Sequence, residues 1–299
     1  MDGILVDRVG KRIGRTWALR DVRFEVARGE VFGLLGRSGS GKTTLLRLIA
    51  GLDHPSLGAV VLQTPKGSAG GWLDAQVSIA LQTPGLAPEL TVSENLGLFS
   101  CLWNTPRRRR TSRTSMFVEL LGLSEVRNRR IRELPEGMKA AAEVARAFVA
   151  GAETTVIDGL FERLEPPTRR RVWEYILARR RQGATFVIGT SSAAEAALCS
   201  RLAVLSGGRL VFSGTPDELM AAAENEVVVV ESIRTPLVNA KLRERFGAAV
   251  RERNGAVEFT TRTAEADVAR VLSELGSDVG CVYVRQPTLE DALHRIGGD

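Results

Sequence analysis

The segment from Gly36 to Thr44 contains the residues of this 299-residue chain that are best suited to chemistry. Its sequence, GRSGSGKTT, fits the spacing G-x-x-x-x-G-K-[ST] and lies between an apolar run that predicts a strand and one that predicts a helix. Glycines in such a loop let backbone N–H groups surround a phosphate, and the helix N-terminus adds partial positive charge. The predicted phosphate contacts are Gly36, Arg37, Ser38, Gly39, Ser40, Gly41, Lys42, Thr43 and Thr44.

A triphosphate held in this loop needs a magnesium ion. Lys42 would reach the β- and γ-phosphates, and the Thr43 hydroxyl would bind Mg²⁺. Asp158 ends the predicted strand TTVID and fits the aspartate that orders Mg²⁺ through its water shell. A strand-end aspartate can also cap a turn, but the phosphate-binding loop in the same chain favours the metal role. A nucleoside triphosphate and Mg²⁺ are therefore the predicted ligands, and a kinase, a GTPase or a helicase could each contain such a loop.

The arginine runs of this chain, with its net charge of +6, raise the question of a nucleic-acid partner. Aromatic residues make up only 5% of the chain and do not alternate with the runs, and acidic residues lie near every run. We therefore interpret the runs as solvated faces and predict no nucleic-acid partner, with contact to anionic lipid or a membrane partner as the alternative. The runs span residues 107–110, 129–130, 169–171 and 179–181.

The cysteines and the hydropathy pattern predict a cytoplasmic protein. Cys101, Cys199 and Cys281 are scattered and odd in number, which argues against a disulfide scaffold or a zinc site. No run of about 18 apolar residues is present, so no segment is predicted to span a bilayer. The first thirty residues lack the pattern of a secretory signal.

Strand and helix patterns alternate along residues 1–222 and predict an α/β domain with a parallel sheet. Predicted strands lie within 21–35 and at 76–81, 154–158 and 184–189, and residues 202–214 predict a hairpin with a Gly207–Gly208 turn. Thr91 and Glu94 form a capping box that opens a mostly helical stretch, from about 88 to 151.

The character of the sequence changes near Asn225. β-rich runs at 226–232, 256–261 and 278–285 are separated by helical patterns and predict a small α+β domain over residues 226–299. This region has no paired carboxylates, metal-ligand spacing or glycine loop. It is interpreted as an interaction or regulatory module.

Further motifs resemble those of ABC (ATP-binding cassette) ATPases, in the family's order. ALQTPGLAPELTVSENL (80–96) resembles the Q-loop segment, and LPEGMKAAAEVARAF (134–148) resembles the signature segment. GGRLVFSGTPDEL (207–219) resembles the end of the nucleotide-binding domain. The resemblance covers residues 1–222 and implies a P-loop NTPase (ABC ATPase) core with a helical subdomain, plus the small C-terminal domain. That domain, with its Pro287–Asp291 phrase, is similar to those of drug- and natural-product-exporter subunits.

The resemblance also implies site residues and partners. Gln82 would touch Mg²⁺, and Ile13 occupies the position of the adenine-stacking aromatic, with Trp17 as a substitute four residues on. A second cassette, identical or different, would pair with this one and sandwich ATP, and a separate membrane permease would dock near the Q-loop. The chain would then lie in the cytoplasm against the inner face of the membrane. The implied signature residues are Leu134, Pro135, Glu136, Gly137 and Met138.

The chain departs from the family at the residues that hydrolyse ATP. Gly159 stands where the catalytic glutamate is expected, and Ser191 where the switch histidine is expected. The two histidines of the chain, His54 and His294, are at neither position. Glu162 and Glu165 follow in sequence, but their spacing predicts that they point away from the site.

The signature segment and the dimer loop depart from the family as well. Pro135 replaces a serine, Glu136 replaces a glycine and would set a carboxylate beside a polyanion, and Glu165 replaces the aspartate of the dimer loop. We therefore expect ATP binding with weak or absent hydrolysis at this chain's own site. A nucleotide-gated sensor or scaffold without a permease, and a fully active ABC ATPase with non-standard residues, remain alternatives.

Overall fold

The computed structural model describes residues 3–64, 67–68, 77–82, 85–103, 105–222, 226–232, 234–247 and 250–296. Gln76 of the predicted strand 76–81 and the last three residues of the predicted domain 226–299 lie outside this set. The chain divides into two compact units between Pro216 and Asp217, and the domain limits at 222 and 226 stay a prediction. Among the described residues, no helix combines the length and apolarity needed to cross a bilayer.

Strands and helices alternate along the first unit. Its strands are β1 (Gly3–Ile13), β2 (Thr16–Ala27), β3 (Val31–Leu35), β4 (Leu57–Thr64), β5 (Gly67–Ser68), β6 (Val77–Ala80), β7 (Thr154–Asp158), β8 (Thr185–Thr190), β9 (Arg201–Ser206) and β10 (Arg209–Gly214). Its helices are α1 (Lys42–Ile49), α2 (Val92–Leu102), α3 (Arg107–Leu120), α4 (Glu136–Ala150), α5 (Pro166–Arg181) and α6 (Ala193–Ala196), and α7 (Pro216–Ala221) contains the boundary.

Six strands form the central sheet in the order β10-β9-β3-β8-β7-β6. Neighbouring strands are parallel, apart from the antiparallel pair of β9 and β10. Every residue of β3, β7 and β8 is buried, as is typical of parallel strands covered on both faces. Since their carboxyl ends meet at one edge of the sheet, the loop after Leu35 comes close to Asp158 and Thr190.

A second sheet, in the order β2-β1-β4-β5, packs with the central sheet and α1 around one hydrophobic core. Phe24 on β2 stacks on Phe32 of β3, with ring centroids 5.1 Å apart. Helix α1 buries Leu45 and Leu48 on the same core. This packing fixes the position of α1, and therefore of the loop that precedes it.

The predicted hairpin at 202–214 is confirmed as β9 and β10. Gly207 and Gly208 form its turn with φ values of 53° and 78°, a conformation that L-residues with side chains rarely adopt. The Gly208 N–H donates to the Ser40 carbonyl at 3.2 Å, and the Arg20 N–H donates to the Gly208 carbonyl at 2.8 Å. The turn therefore supports the backbone of the glycine-rich loop at Ser40.

Helices α2, α3 and α4 occupy the predicted helical stretch. The capping box is confirmed: the Glu94 N–H donates to the Thr91 hydroxyl at 3.2 Å, and the Thr91 N–H donates to the Glu94 carboxylate at 2.8 Å. Helix α4 is buried over most of its length, and its Phe148 packs against the rings of Phe117 and Tyr175. Buried α4 therefore carries the signature residues at its N-terminus.

The second unit is an antiparallel sheet in the order β12-β13-β11-β14 with helices packed on it, which matches the predicted α+β organisation. Phe246 stacks on Phe259 at 4.1 Å in its core. The Arg285 guanidinium donates to Asp291 at 2.7 Å and to Glu258 at 2.6 Å, so it ties the last helix to the sheet. The elements are β11 (Glu226–Glu231), α8 (Thr235–Phe246), β12 (Val250–Arg253), β13 (Ala256–Thr261), α9 (Ala264–Leu275), β14 (Cys281–Arg285) and α10 (Leu289–Ile296).

We expect Asp291→Asn to lower the free energy of unfolding of the second unit by about 1–2 kcal/mol at pH 7. Burial alone would raise the pKa of Asp291, but hydrogen bonds from Arg285 and Thr288 outweigh it and lower the pKa to about 2. A depressed carboxyl pKa stabilises the folded state above about pH 4, and this contribution is lost as the pH falls towards 2. Urea unfolding at pH 7 and pH 3 should therefore show the difference between variant and wild type shrinking at the lower pH. Glu290→Gln, in an exposed pair with Arg253, is the control, and equal losses in the two variants would contradict the assignment.

Candidate nucleotide-binding and hydrolysis site

The phosphate-binding loop joins β3 to α1 in the predicted context. Gly41 caps α1 with φ at 101°, and a Cβ there would lie 2.8 Å from the Ala18 carbonyl oxygen. A side chain at Gly36 would likewise meet the Leu205 carbonyl oxygen at 2.4 Å. The loop thus needs glycine at these two positions, and the first N–H groups of α1 are left free to face an anion.

Lys42 lies across the mouth of the loop. Its ammonium donates to the Gly36 carbonyl at 2.5 Å and to the Arg37 carbonyl at 2.9 Å. Burial lowers the pKa of Lys42, while the charges of Asp158 and Glu162 oppose the shift. The ammonium is therefore held by weakly basic carbonyl groups, which a phosphate can replace at little cost.

Asp158 and Thr43 form the predicted metal-binding pair. The Thr43 hydroxyl donates to one oxygen of Asp158 at 2.7 Å, and the aspartate is fully buried. Burial raises the pKa of Asp158, while the Thr43 hydrogen bond and the Lys42 charge oppose it. Its other oxygen, Oδ1, is buried and accepts no hydrogen bond from the described residues, so it lacks the polar partner that a metal-bound water would supply.

These oxygen donors fit a magnesium ion. Mg²⁺ prefers hard oxygen ligands and keeps several of its waters, and here the Thr43 hydroxyl, Gln82 and the free oxygen of Asp158 would hold it. When bound, the ion would neutralise charge on the phosphate oxygens. Within the described residues, no cluster of three or more histidine, cysteine or acidic side chains offers another metal site.

A cavity of about 400 Å³ brings the predicted residues together at the edge of the central sheet. Lys42 and Thr43 of the loop line it, and so do Gln82, Gly159 and Ser191. The residues predicted from four separate stretches of sequence therefore face one volume, large enough for a triphosphate.

Gly159 occupies a position that favours glycine. Its φ is 59°, its N–H donates to the Gly189 carbonyl at 2.8 Å, and an added Cβ would lie 2.3 Å from the side-chain nitrogen of Gln82. Both the positive φ and the close approach of Gln82 therefore favour glycine at the position where a glutamate was expected.

The prediction that Glu162 points away from the site is wrong. Glu162 lines the cavity, and the Ser191 hydroxyl donates to its carboxylate at 2.8 Å. The reason is a 3₁₀ turn over Phe161–Arg163, which reverses the chain after Leu160. Glu165 caps α5 and does not line the cavity in the described part of the chain.

Glu195, a buried glutamate that the sequence analysis did not select, fixes the position of the turn that carries Ser191. The Thr190 hydroxyl donates to Glu195 at 2.6 Å and accepts a hydrogen bond from the Ser192 N–H at 2.9 Å. Burial raises the pKa of Glu195, and the Thr190 hydrogen bond opposes the shift. No sequence motif marks Glu195, and its contact with Thr190 fixes the turn that presents Ser191.

Known proteins are similar to this chain in sequence and in fold. The model of the ABC transporter family matches residues 19–161. Nod factor export ATP-binding protein I of Rhizobium etli is 30% identical over 100% of this chain and 94% of its own length. The protein of the same name from Bradyrhizobium diazoefficiens is 34% identical over 74% of this chain and 73% of its own length.

This chain belongs to the ATP-binding proteins of the ABC transporter family. A solved ATP-binding subunit of an ABC transporter matches the cassette with a TM-score of 0.67 at 26% identity, over 74% of this chain and 92% of its own. An ATP-binding cassette solved as a dimer with ADP and Pi, in a post-hydrolysis state, matches with a TM-score of 0.63 at 22% identity, over 71% of this chain and 98% of its own. That second likeness shows the fold alone.

The predicted signature residues lie at the start of α4. The Glu136 carboxylate pairs with Arg163 at 2.5 Å and with Lys139 at 2.9 Å. The Lys139 hydrogen bond lowers the pKa of Glu136, and the Arg163 charge acts in the same direction. The expected repulsion of a polyanion by Glu136 is thus opposed by two neighbouring cations. The five residues, Leu134, Pro135, Glu136, Gly137 and Met138, do not line the cavity among the residues described.

The predicted adenine contacts lie away from the phosphates. Ile13 is exposed at the end of β1. Trp17 lines a second cavity of about 530 Å³ together with Gly10 and Leu57, whereas Ala18 lines the nucleotide cavity. The adenine contacts of Ile13 and Trp17 stay predictions.

Glu143, which the sequence analysis did not select, accepts hydrogen bonds from the backbone on both sides of Gln82. Its buried carboxylate accepts hydrogen bonds from the Leu81 N–H at 3.4 Å and the Gly85 N–H at 3.1 Å. Arg146 pairs with it at 2.5 Å and also donates to the Ile79 carbonyl at 2.6 Å. Helix α4 therefore connects the signature segment to the Q-loop through one buried ion pair.

We expect Gly159→Ala to weaken Mg–ATP binding several-fold, whereas Gly183→Ala leaves it unchanged. Both glycines have positive φ, at 59° and 89°, so each change strains the backbone by about 1–2 kcal/mol. Only the Cβ at residue 159 meets Gln82, because nothing lies within 4 Å of one at Gly183. Calorimetric titration of both variants checks the difference, and equal affinities would show that the Gln82 position is unimportant for binding.

Proposed function

We propose that this cassette is the nucleotide-binding subunit of an ABC exporter, which binds Mg–ATP and passes its nucleotide state to a separate membrane permease. The observation that carries the proposal is the single cavity that joins Lys42, Thr43 and Gln82 beside buried Asp158. Export is favoured because a relative that matches both units from end to end is named as a Nod factor export protein. The transported substrate is left open, since the permease would select it.

Binding follows from the contacts of the loop. Backbone N–H groups of residues 38–43 would surround the β-phosphate, and Lys42 would leave the carbonyls of Gly36 and Arg37 for the β- and γ-phosphates. The Gln82 segment would report the state of the site, because it lies between the cavity and the carboxylate of Glu143. These contacts connect the nucleotide to the helical region, where the permease would dock.

Slow hydrolysis at the cassette's own site is part of the proposal. A positioned general base contributes about 10²–10⁴ in rate, and Gly159 offers none. Ser191 cannot carry a proton as an imidazole does, and Pro135 brings neither a hydroxyl nor an N–H to the signature. We therefore propose a turnover lower than that of an intact cassette.

The proposed setting is the cytoplasmic face of the membrane. A second cassette, either a copy of this chain or a different one, would complete the ATP sandwich across the signature. A multi-span permease would anchor both. The absence of a spanning helix among the described residues is compatible with this arrangement and does not test it.

Affinity purification of the tagged chain from solubilised membranes tests the proposed function. We expect a multi-span membrane protein to be recovered, in an amount that differs between Mg–ATP and Mg–ADP. With Lys42→Ala the membrane protein should still be recovered, but its amount should no longer depend on the nucleotide. Recovery of soluble partners alone would favour a sensor or scaffold. Phosphate release near one per second by the purified chain, absent in Lys42→Ala, would favour a fully active ATPase.

A further inference from the structure

The turn after Asp158 places a carboxylate in the nucleotide cavity. Phe161 is fully buried and stacks on Trp173 with ring centroids 5.1 Å apart. On the other side of Glu162, Arg163 donates to the Gln82 carbonyl at 3.1 Å and pairs with Glu136. Both neighbours of Glu162 are therefore anchored, so the direction of its side chain is set by the fold.

Ser191 orients this carboxylate. Its hydroxyl donates to Oε1 of Glu162 at 2.8 Å, while Oε2 accepts no hydrogen bond from the residues that the structure describes. The turn that carries Ser191 is itself fixed by the contact of Thr190 with buried Glu195. One oxygen of Glu162 is thus held in place and the other is available to a water molecule.

The charge of Glu162 reaches the phosphate end of the cavity. Burial lowers the pKa of Lys42, and the negative charges of Asp158 and Glu162 partly oppose this. Lys42 and Glu162 also line the same cavity, in which the terminal phosphate would lie. Among the described residues that line this cavity, Glu162 is the acidic one.

We propose that Glu162, held by Ser191, positions and deprotonates the attacking water in this cassette. The inference rests on the proposed binding of Mg–ATP in the cavity. The water oxygen forms a bond to the γ-phosphorus while the bond from that phosphorus to the β–γ bridging oxygen breaks. The electron pair of the broken bond leaves with ADP. The proton of the water passes to the free oxygen of Glu162 and from there to solvent.

The pair replaces the missing catalytic groups only in part. Glu162 supplies the carboxylate that Gly159 lacks, but it comes from three residues further along the chain. Ser191 supplies a hydrogen bond but no positive charge to stabilise the transition state. Slow turnover is therefore the expected behaviour of the intact cassette, and the remaining rate should depend on Glu162.

Replacement of Glu162 by glutamine tests the proposal in the full chain. We expect Glu162→Gln to lower the rate of phosphate release by at least about 10²-fold, to the level of Lys42→Ala, while the Kd for Mg–ATP changes by less than about threefold. Glu174→Gln, in an exposed pair with Arg170 on α5, is the matched control and should keep the wild-type rate.

Three outcomes would overturn the proposal. One is a wild-type rate in Glu162→Gln. Another is a wild-type rate no higher than that of Lys42→Ala. The third is tighter ATP binding at an unchanged rate, because Glu162 would then only repel the γ-phosphate. Failure of the wild-type chain to bind Mg–ATP would instead refute the proposed function itself, so the two failures are distinguishable.

The role of Ser191 as a positioning residue has its own readout. Ser191→Ala should lower kcat about 3–10-fold with KM unchanged, since one hydrogen bond contributes about 0.5–1.5 kcal/mol. Ser191→Thr keeps the hydroxyl and should restore most of kcat. Equal kcat values in the alanine and threonine variants would show that the hydrogen bond to Glu162 has no part in turnover.

Discussion

Glu143→Ala is expected to lower the free energy of unfolding of the first unit by about 3–5 kcal/mol, because it leaves a buried guanidinium without its partner. Glu143 has no exposed surface, and the Arg146 side chain is only 11% exposed. The Arg146 guanidinium also lies 4.5 Å from the ring centroid of Phe99, so it cannot reach bulk water without moving. The change also frees the N–H groups of Leu81 and Gly85.

Urea unfolding measures this loss. Glu133→Ala removes a glutamate from an exposed pair with Arg129 and should cost less than about 0.5 kcal/mol. A paired replacement, Glu143→Leu with Arg146→Met, should recover much of the stability, because apolar residues of similar volume can replace a buried ion pair. A loss below about 1 kcal/mol in Glu143→Ala would show that this pair does not hold the Q-loop.

Lys42→Ala is expected to weaken Mg–ATP binding by at least about 10²-fold. The lysine would donate charge-assisted hydrogen bonds to two phosphate groups, and each contributes about 1.5–3 kcal/mol. The fold should persist without nucleotide, since, among the described residues, Lys42 donates hydrogen bonds only to the carbonyls of Gly36 and Arg37. Its stem, however, is partly buried, so Lys42→Met, which keeps an apolar stem, separates loss of charge from loss of packing.

Isothermal titration with Mg–ATP measures the effect of both Lys42 variants. Lys241→Ala removes an exposed lysine of the second unit and is expected to bind like the wild type. Affinity within threefold of wild type in Lys42→Met would show that the ammonium does not contact the phosphates, and the loop would then be a glycine turn with another role.

The parts of the site that local sequence determines could be predicted. The loop from Gly36 to Thr44 follows from the spacing of its glycines and from the apolar runs on either side. Asp158 follows from the end of a buried strand, and the Gly207–Gly208 hairpin from its two-residue turn. In each case a local pattern of glycines or apolar residues marks the position, so the pattern and the structure agree.

Long-range packing determines the features that were predicted wrongly from the sequence or that no sequence pattern indicated. The direction of Glu162 depends on Phe161 stacking against Trp173, which no spacing rule reveals. Glu143 bonds to backbone groups that lie 58 and 62 residues earlier in the chain. In a helical pattern, a glutamate between alanines and a valine is expected on the solvent-exposed face. Here Glu143 is instead buried and paired with Arg146.

Equilibrium binding of ATP to the purified full chain, with and without Mg²⁺ and with phosphate release followed in the same sample, shows whether this site holds Mg–ATP without rapid turnover. We expect saturable binding in the micromolar range that depends on Mg²⁺ and on Lys42, together with turnover well below about one per second. No saturable binding at millimolar Mg–ATP, measured at two temperatures so that a vanishing enthalpy cannot hide it, would show that the cavity does not bind the nucleotide.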